Sequence, residues 1–256
     1  MITIKTQEDI AKLREGGRRL EAILHELEAC VCVGNTPRTL EEKARTRIAE
    51  GGDIPTFFHY TPAGASFPYP AVTCISVNDA VVHGIPTDIP FKEGDVVSID
   101  LGLTHQGLVV DASRCVCVKA PQGRVQELIA TTQKALDAGI AVARSGAHVG
   151  DIGFAVQTVV AQSNFSLFVE LGGHGVGYSL HEEPFISNVG KRGTGSVLKP
   201  GMVLAIEVML ADGQAELRLD SDGYTYRTCD GSLTTQIEDT VLVTRGGPEI
   251  LTRVFE

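Results

Sequence analysis

The sequence predicts a mixed α+β fold built from two similar halves. Three observations carry that expectation. A helix pair occurs twice, a turn–strand–carboxylate segment occurs twice, and 28 Gly and 11 Pro punctuate short apolar runs. The first helix is announced by Thr6-Gln-Glu-Asp9, a capping box that opens a pattern in which Ile10, Leu13, Leu20, Ile23, Leu24 and Leu27 recur at helical spacing. That spacing predicts a helix over about 7–30. Gly34-Asn-Thr36-Pro37 breaks it, and Thr39-Leu-Glu-Glu-Lys begins a shorter helix that stops near Gly51-Gly52. The same order returns as a helix over about 122–144, a break at Ser145-Gly146, and a helix over about 149–162.

Strands follow each helix pair, and they carry the duplication most clearly. Phe91-Lys-Glu-Gly94-Asp-Val96-Val-Ser-Ile99-Asp100 aligns with Leu198-Lys-Pro-Gly201-Met-Val203-Leu-Ala-Ile206-Glu207. Val110-Asp111-Ala-Ser113, at the head of a strand Arg114 to Val118, matches Ile237-Glu238-Asp-Thr240 leading into a strand Val241 to Thr244. Val82-His83-Gly84-Ile85 echoes Gly173-His174-Gly175-Val176. Each half thus reads His, carboxylate, carboxylate. Units this long do not make a solenoid. They suggest two halves facing across a pseudo-twofold axis, with the carboxylates meeting at the centre.

The 256-residue chain, 43% hydrophobic, is long enough to bury a substantial core. Its formal charge of −10 argues against nucleic acid as the main partner, since phosphates demand clustered Lys and Arg. Arg14, Arg18 and Arg19, with Lys43, Arg45 and Arg47, form basic clusters that read as solvated helix faces. Six cysteines include two C-x-C pairs in alternating apolar stretches, without C-x-x-C spacing, and read as buried thiols of a reducing compartment. With neither a basic-then-apolar N-terminus nor a run long enough to span a bilayer, the chain is expected to be soluble and cytoplasmic.

Asp100 and Glu207 each lie within or at the end of an apolar strand expected to be buried, where an unpaired carboxylate is expensive. One such acid alone points to a salt bridge or a cap. Four equivalently placed acids, Asp100, Asp111, Glu207 and Glu238, with too few Lys or Arg in those strands to neutralise them, point to divalent metal instead. Oxygen ligands with one imidazole, from His174, suit Mn, Fe, Co or Zn, and acids able to bridge favour two ions. The glycines around His174 leave room at its ring and lack the Lys-Ser/Thr ending of a phosphate loop. His83 and His181 are candidates for substrate binding, whereas His25, His59, His105 and His148 read as surface or structural.

With those residues placed, the chain resembles the type I methionine aminopeptidases over nearly its whole length. The matching motifs are Cys74-Ile-Ser-Val-Asn-Asp-Ala-Val-Val-His83-Gly-Ile-Pro86, Ser98-Ile-Asp100-Leu-Gly, Asp111-Ala-Ser, Gly173-His174-Gly-Val-Gly, His181-Glu-Glu-Pro184, Ile206-Glu207 and Gln236-Ile-Glu238-Asp-Thr. The resemblance implies one catalytic domain over 1–256, with halves of about 7–120 and 121–250. Its fold is the family's "pita bread", a curved, mostly antiparallel sheet covered by two helix pairs with the active site between the halves. It implies two divalent metals (Co, Mn, Fe or Zn): Asp100 chelating one, Asp111 and Glu238 bridging, His174 and Glu207 completing the other site. Glu207 is then the proton shuttle for metal-activated water, and His83 and His181 hydrogen-bond the scissile amide and the developing oxyanion. Tyr69, Cys74, Leu180 and Tyr224 fall at the methionine pocket. The implied partners are nascent chains and peptides that begin with Met, and the ribosome, with no DNA or membrane, for a monomer.

Three departures stand out. Val208 follows Glu207 where relatives usually have Pro, so the strand continues without that kink. The absence of Trp leaves the aromatic wall near Asp222-Gly223 to Tyr224. The segment 57–70 is longer than usual and rich in apolar and aromatic residues, which bears on the pocket entrance. Two alternatives stay open: a proline-directed peptidase of the same fold, which usually carries an extra N-terminal domain, and a non-catalytic binding protein, in which nothing would maintain a costly cluster of acids.

Overall fold

The computed structural model describes residues 1–62 and 64–253. Helix α1 (Gln7–Glu28) starts at Thr6, whose hydroxyl accepts from the Asp9 amide while the Asp9 carboxylate accepts from the Thr6 amide. Every apolar residue predicted on its inner face is buried. It approaches the chain just after the last strand so closely that a Cβ on Gly17 would lie 2.1 Å from the Leu251 carbonyl oxygen. The helix ends two residues before the expected limit, in a turn closed by the Cys30 amide on the Leu27 carbonyl. Helix α2 (Pro37–Glu50) begins earlier than expected. Thr36 caps it, and Pro37 is its first residue rather than part of the break, because a first-turn position has no intrahelical use for an N–H.

In the first half come β1 (Ile54–Pro55), β2 (Thr73–Val77), β3 (Ala80–Val82), β4 (Val96–His105) and β5 (Leu108–Cys117). The second half repeats the plan with α3 (Gly123–Val142), α4 (Val149–Val160), β6 (Ser166–Leu167), β7 (Gly172–Gly175), β8 (Glu182–Ser187) and β9 (Val203–Ala211). It closes with β10 (Leu217–Leu219), β11 (Tyr226–Thr228), β12 (Thr234–Val243) and β13 (Pro248–Ile250). No helix among the described residues is long and apolar enough to cross a membrane.

The fold is α+β. Its main sheet runs β1-β4-β5-β12-β9-β7-β8, with β2 beside β4, β6 beside β9 and β13 beside β12, and every pairing of these strands is antiparallel. One core packs α1 and α2 against β4 and β5, and a second packs α3 and α4 against β9 and β12. A small sheet, β10-β11-β3, joins the halves beside them.

Several strand expectations need correction. Asp111 lies inside β5 rather than at its head, because Gln106 and Gly107, at φ +48° and +84°, close a tight hairpin that starts the strand at Leu108. Glu238 likewise lies mid-strand in β12. His174 belongs to strand β7, where it pairs with Ala205. Of the six cysteines only Cys74 is buried. Cys30 and Cys32 sit in the turn after α1, Cys30 half-buried against the first core and Cys32 exposed, and Cys115 and Cys117 occupy the less covered end of β5. The basic clusters are paired with acids as well as solvated: Arg14 with Glu249, Arg18 and Arg19 with Glu15, Arg45 with Glu41, and Arg47 with Glu26.

Candidate metal centre

Strand register sets the geometry. Asp100 pairs with Ser113 of β5, Ser113 pairs with Glu238 of β12, and Glu238 pairs with Glu207 of β9. Residues directly opposite in an antiparallel ladder share a face, as do residues two apart along a strand. Asp111 is two residues from Ser113, and His174 pairs with Ala205, two residues from Glu207. Five neighbouring strands, β4, β5, β12, β9 and β7, therefore present Asp100, Asp111, Glu238, Glu207 and His174 to one side. Alternate residues, including Ile99, Val110, Ile206, Val208 and Ile237, are buried in the helix-side cores. Val208 takes its place in this alternation opposite Ile237, and Glu207 keeps its register with Glu238.

One oxygen each of Asp111 and Glu238 and one ring nitrogen of His174 lie within 4.8 Å of one another. Asp100 and Glu207 meet at the Gln236 amide, whose nitrogen donates to Asp100 Oδ2 at 3.2 Å and Glu207 Oε2 at 3.4 Å. Asp100 Oδ1, Asp111 Oδ1 and Glu238 Oε1 are buried without a hydrogen-bond partner in the protein. Among the described residues, neither Lys nor Arg lines the cleft around them. Arg114 on β5 turns away to Glu21 and Asp239 instead, and Arg253 also serves Asp239.

The electrostatic consequence is large. Loss of water holds the Asp100 carboxyl up at about 7, against the Gln236 hydrogen bond that favours its charged form. Burial, then the Asp100 charge, raises Glu207 to about 8. Asp111 and Glu238 are pushed well above the ordinary carboxylate range by burial first and by their acidic neighbours second. Burying charge of one sign costs on the order of several kcal/mol per ion, and divalent cations bound by the orphaned oxygens would remove that cost. His174 fits the same purpose. Its Nδ1 lies 2.9 Å from the Gly175 carbonyl, which can only accept, so Nδ1 carries the proton and Nε2 keeps the lone pair a metal needs. Burial lowers its pKa to about 4, which keeps the ring neutral. The donor set, hard oxygens with one imidazole, suits Mn, Fe, Co or Zn.

The cleft above this cluster gathers every residue singled out from the sequence. Besides the five, His83, His181, Tyr69, Cys74, Leu180 and Tyr224 line it. Withdrawal from water lowers His83 to about 4. His181 crosses His174 edge to face at 4.4 Å between ring centroids. Tyr69 and Tyr224 meet edge to face at 5.0 Å, and Phe67 extends the aromatic row at 5.1 Å from Tyr224. Cys74 is the cross-strand neighbour of Asp100 on the same face. Tyr224 does stand in the wall near Asp222-Gly223, where the Asp222 carboxylate accepts from the Tyr224 and Thr225 amides.

The cleft also contains Gln236, to which the sequence assigned no role, and Phe57, Tyr60 and Pro62 of the segment expected at its entrance. Gln236 was legible in principle, because it sits two residues before Glu238 on one strand and so shares its face. Tyr60 and Pro62 belong to the long segment 57–70, of which Ala63 lies outside the described residues. Nothing in its sequence pattern indicates which of its aromatics turn inward.

Residues 11–245 match the model of "Metallopeptidase family M24". The chain is 39% identical to a methionine aminopeptidase of Aquifex aeolicus over 99% of both sequences. It superposes on the crystal structure of methionine aminopeptidase from Thermotoga maritima with a TM-score of 0.95 and 37% identity, covering 99% of this chain and 100% of that one. Prolidase from Pyrococcus furiosus gives a TM-score of 0.77 at 24% identity, covering 99% of this chain but 66% of that one, a likeness of fold alone.

Proposed function

The chain belongs to metallopeptidase family M24, and from that premise we propose that it uses the centre described above to remove methionine from the N-termini of new proteins and peptides. It is a metal-dependent aminopeptidase of the pita-bread fold. The observation that carries the site assignment is the single-faced cluster of Asp100, Asp111, His174, Glu207 and Glu238, with buried oxygens left unpaired and neither Lys nor Arg beside them among the described residues.

With two divalent metals bound, Asp100 would hold one, His174 with Glu207 the other, and Asp111 and Glu238 would serve both. Such metals would supply the Lewis acidity that brings the pKa of water towards neutrality and polarises the carbonyl of the first peptide bond. The protein's own groups do the rest. Glu207 lies at the cleft wall, placed to take a proton from the attacking water and return it to the departing amide nitrogen. His181 and His83 donate hydrogen bonds to the scissile amide and to the oxygen on which charge develops. The free substrate amine is anchored on the Asp100 side. Tyr69, Cys74, Leu180 and Tyr224 form an apolar wall suited to an unbranched thioether. The domain spans 1–256 and acts as a cytoplasmic monomer, with nascent chains and the ribosome as partners.

Release of free methionine from Met-Gly and Met-Ala peptides tests this reading. Chelation should stop it, Co, Mn, Fe or Zn should restore it, and acetylation of the substrate amine should abolish it. No release with any metal, together with cleavage of an X-Pro peptide, would assign the site to proline-directed hydrolysis instead.

A further inference from the structure

The long segment 57–70 is fastened across its base: the His59 amide donates to the Tyr69 carbonyl at 2.9 Å and the Tyr69 amide to the Tyr60 carbonyl at 2.8 Å. This fixes where Tyr60 stands. Its hydroxyl lies 2.7 Å from Nδ1 of His181, 121 residues away in sequence, with the two rings 5.4 Å apart edge to face. Both residues line the cleft that holds the metal centre.

We propose that Tyr60 is a positioning residue that fixes the tautomer of His181, donating its phenolic proton to Nδ1 so that Nε2 carries the hydrogen. The proposal rests on the reading of His181 as a substrate-binding donor and gives that donor a cause. A neutral imidazole has one protonated and one bare nitrogen, and the partner of one determines the role of the other. A phenol is a better donor than a neutral imidazole N–H, and a bare ring nitrogen is a better acceptor than a phenol oxygen, so the 2.7 Å contact runs from Tyr60 to Nδ1. Partial burial raises the Tyr60 pKa, so the phenol retains the proton it must donate. Nε2–H is then the group left to meet a carbonyl oxygen that gains negative charge. The opposite tautomer would present a lone pair to that oxygen and repel it.

The tautomer can be read without turnover. Long-range ¹H–¹⁵N correlation spectra of the zinc-loaded full chain, labelled at histidine and recorded where His181 is neutral, should show its Nε2 protonated and its Nδ1 bare. Tyr60→Phe, which keeps the ring and deletes only the hydroxyl, should yield a mixture of tautomers with an unchanged melting temperature. The same variant should lower kcat for a Met-Ala peptide by roughly 10- to 100-fold, the usual cost of removing a group that orients an imidazole, with KM nearly unchanged. In a His181→Ala background, Tyr60→Phe should have no further effect. A protonated Nδ1 on His181 in the unaltered chain, or an unchanged tautomer in Tyr60→Phe, overturns the proposal. Absence of methionine release from the unaltered chain overturns the functional reading instead, and the spectra still decide the tautomer.

Discussion

The two halves place their carboxylates on the same face of the sheet and differ in how they join the strands that carry them. In the first half, β4 passes to β5 through the two-residue turn Gln106-Gly107. In the second, the equivalent strands β9 and β12 are separated by residues 212–233, which hold β10, β11 and Tyr224. The acids differ as well, aspartates in the first half and glutamates in the second, yet all four converge. The centre therefore depends on the shared sheet face, which both halves keep although their registers differ: Glu207 pairs directly with Glu238, whereas Asp100 pairs with Ser113, two residues from Asp111. The cleft around it is assembled from unshared inserts. Segment 57–70 comes from the first half, and the residues around His181 and Tyr224 come from the second. One of those inserts is held across the halves. Lys5, from the N-terminal segment, pairs with Glu182 at 2.6 Å, and the other oxygen of Glu182 accepts from the Tyr178 amide at 2.6 Å.

The comparison can be broken most severely at the centre. Asp111→Ala and Glu238→Ala are equivalent across the halves and should be equally damaging. Each is expected to lower kcat/KM by roughly 10³-fold or more and to reduce bound metal in equilibrium dialysis. Two metals still bound in either variant would remove the bridging assignment. His181→Ala, in an unshared insert, should lower kcat by about 10²- to 10³-fold with the metal content intact; an unchanged rate would strip His181 of its role.

Removing the metal should expose the electrostatic conflict as a pH dependence. Asp100 and Glu207 have folded-state values of about 7 and about 8, above their ordinary 3.8 and 4.5. The folded state thus binds more protons than the unfolded state between those limits, and stability falls as pH rises. Melting of the chelated protein should be highest near pH 4 and decline through pH 7 to 8, whereas metal-loaded protein should lack that decline. Asp100→Asn should flatten the slope mainly below about pH 7, and Glu207→Gln should flatten it up to about pH 8. Coincident effects would mean that the two halves titrate as one unit.

Smaller changes test the scaffold. The side chains of Lys5 and Glu182 are 1% and 5% exposed, so Lys5→Met leaves a buried carboxylate without its cation. A loss of roughly 3 kcal/mol should appear as a lower melting temperature together with a raised KM. Gly107→Ala meets open space but must adopt φ +84°. It should cost about 1 kcal/mol, or about 2–4 °C, and leave the rate unchanged. A drop in rate there would show that the hairpin does more than join its strands.

The sequence by itself determined the doubled plan, the α1 cap, the order of the five proposed metal ligands and the face on which they stand. These follow from short-range rules, because a capping box spans four residues and a strand alternates every two. The fault in the strand limits has the same origin: Asp111 and Glu238 looked like strand heads because a polar residue interrupts the apolar run, and only pairing along β5 and β12 shows that the ladder continues through them. The tertiary structure alone decided the contact between Tyr60 and His181, the Lys5–Glu182 pair, and which cysteine is buried. Each depends on where a loop travels after leaving the sheet. That path is set by long-range packing and hydrogen bonds between residues more than a hundred positions apart, which no local pattern records.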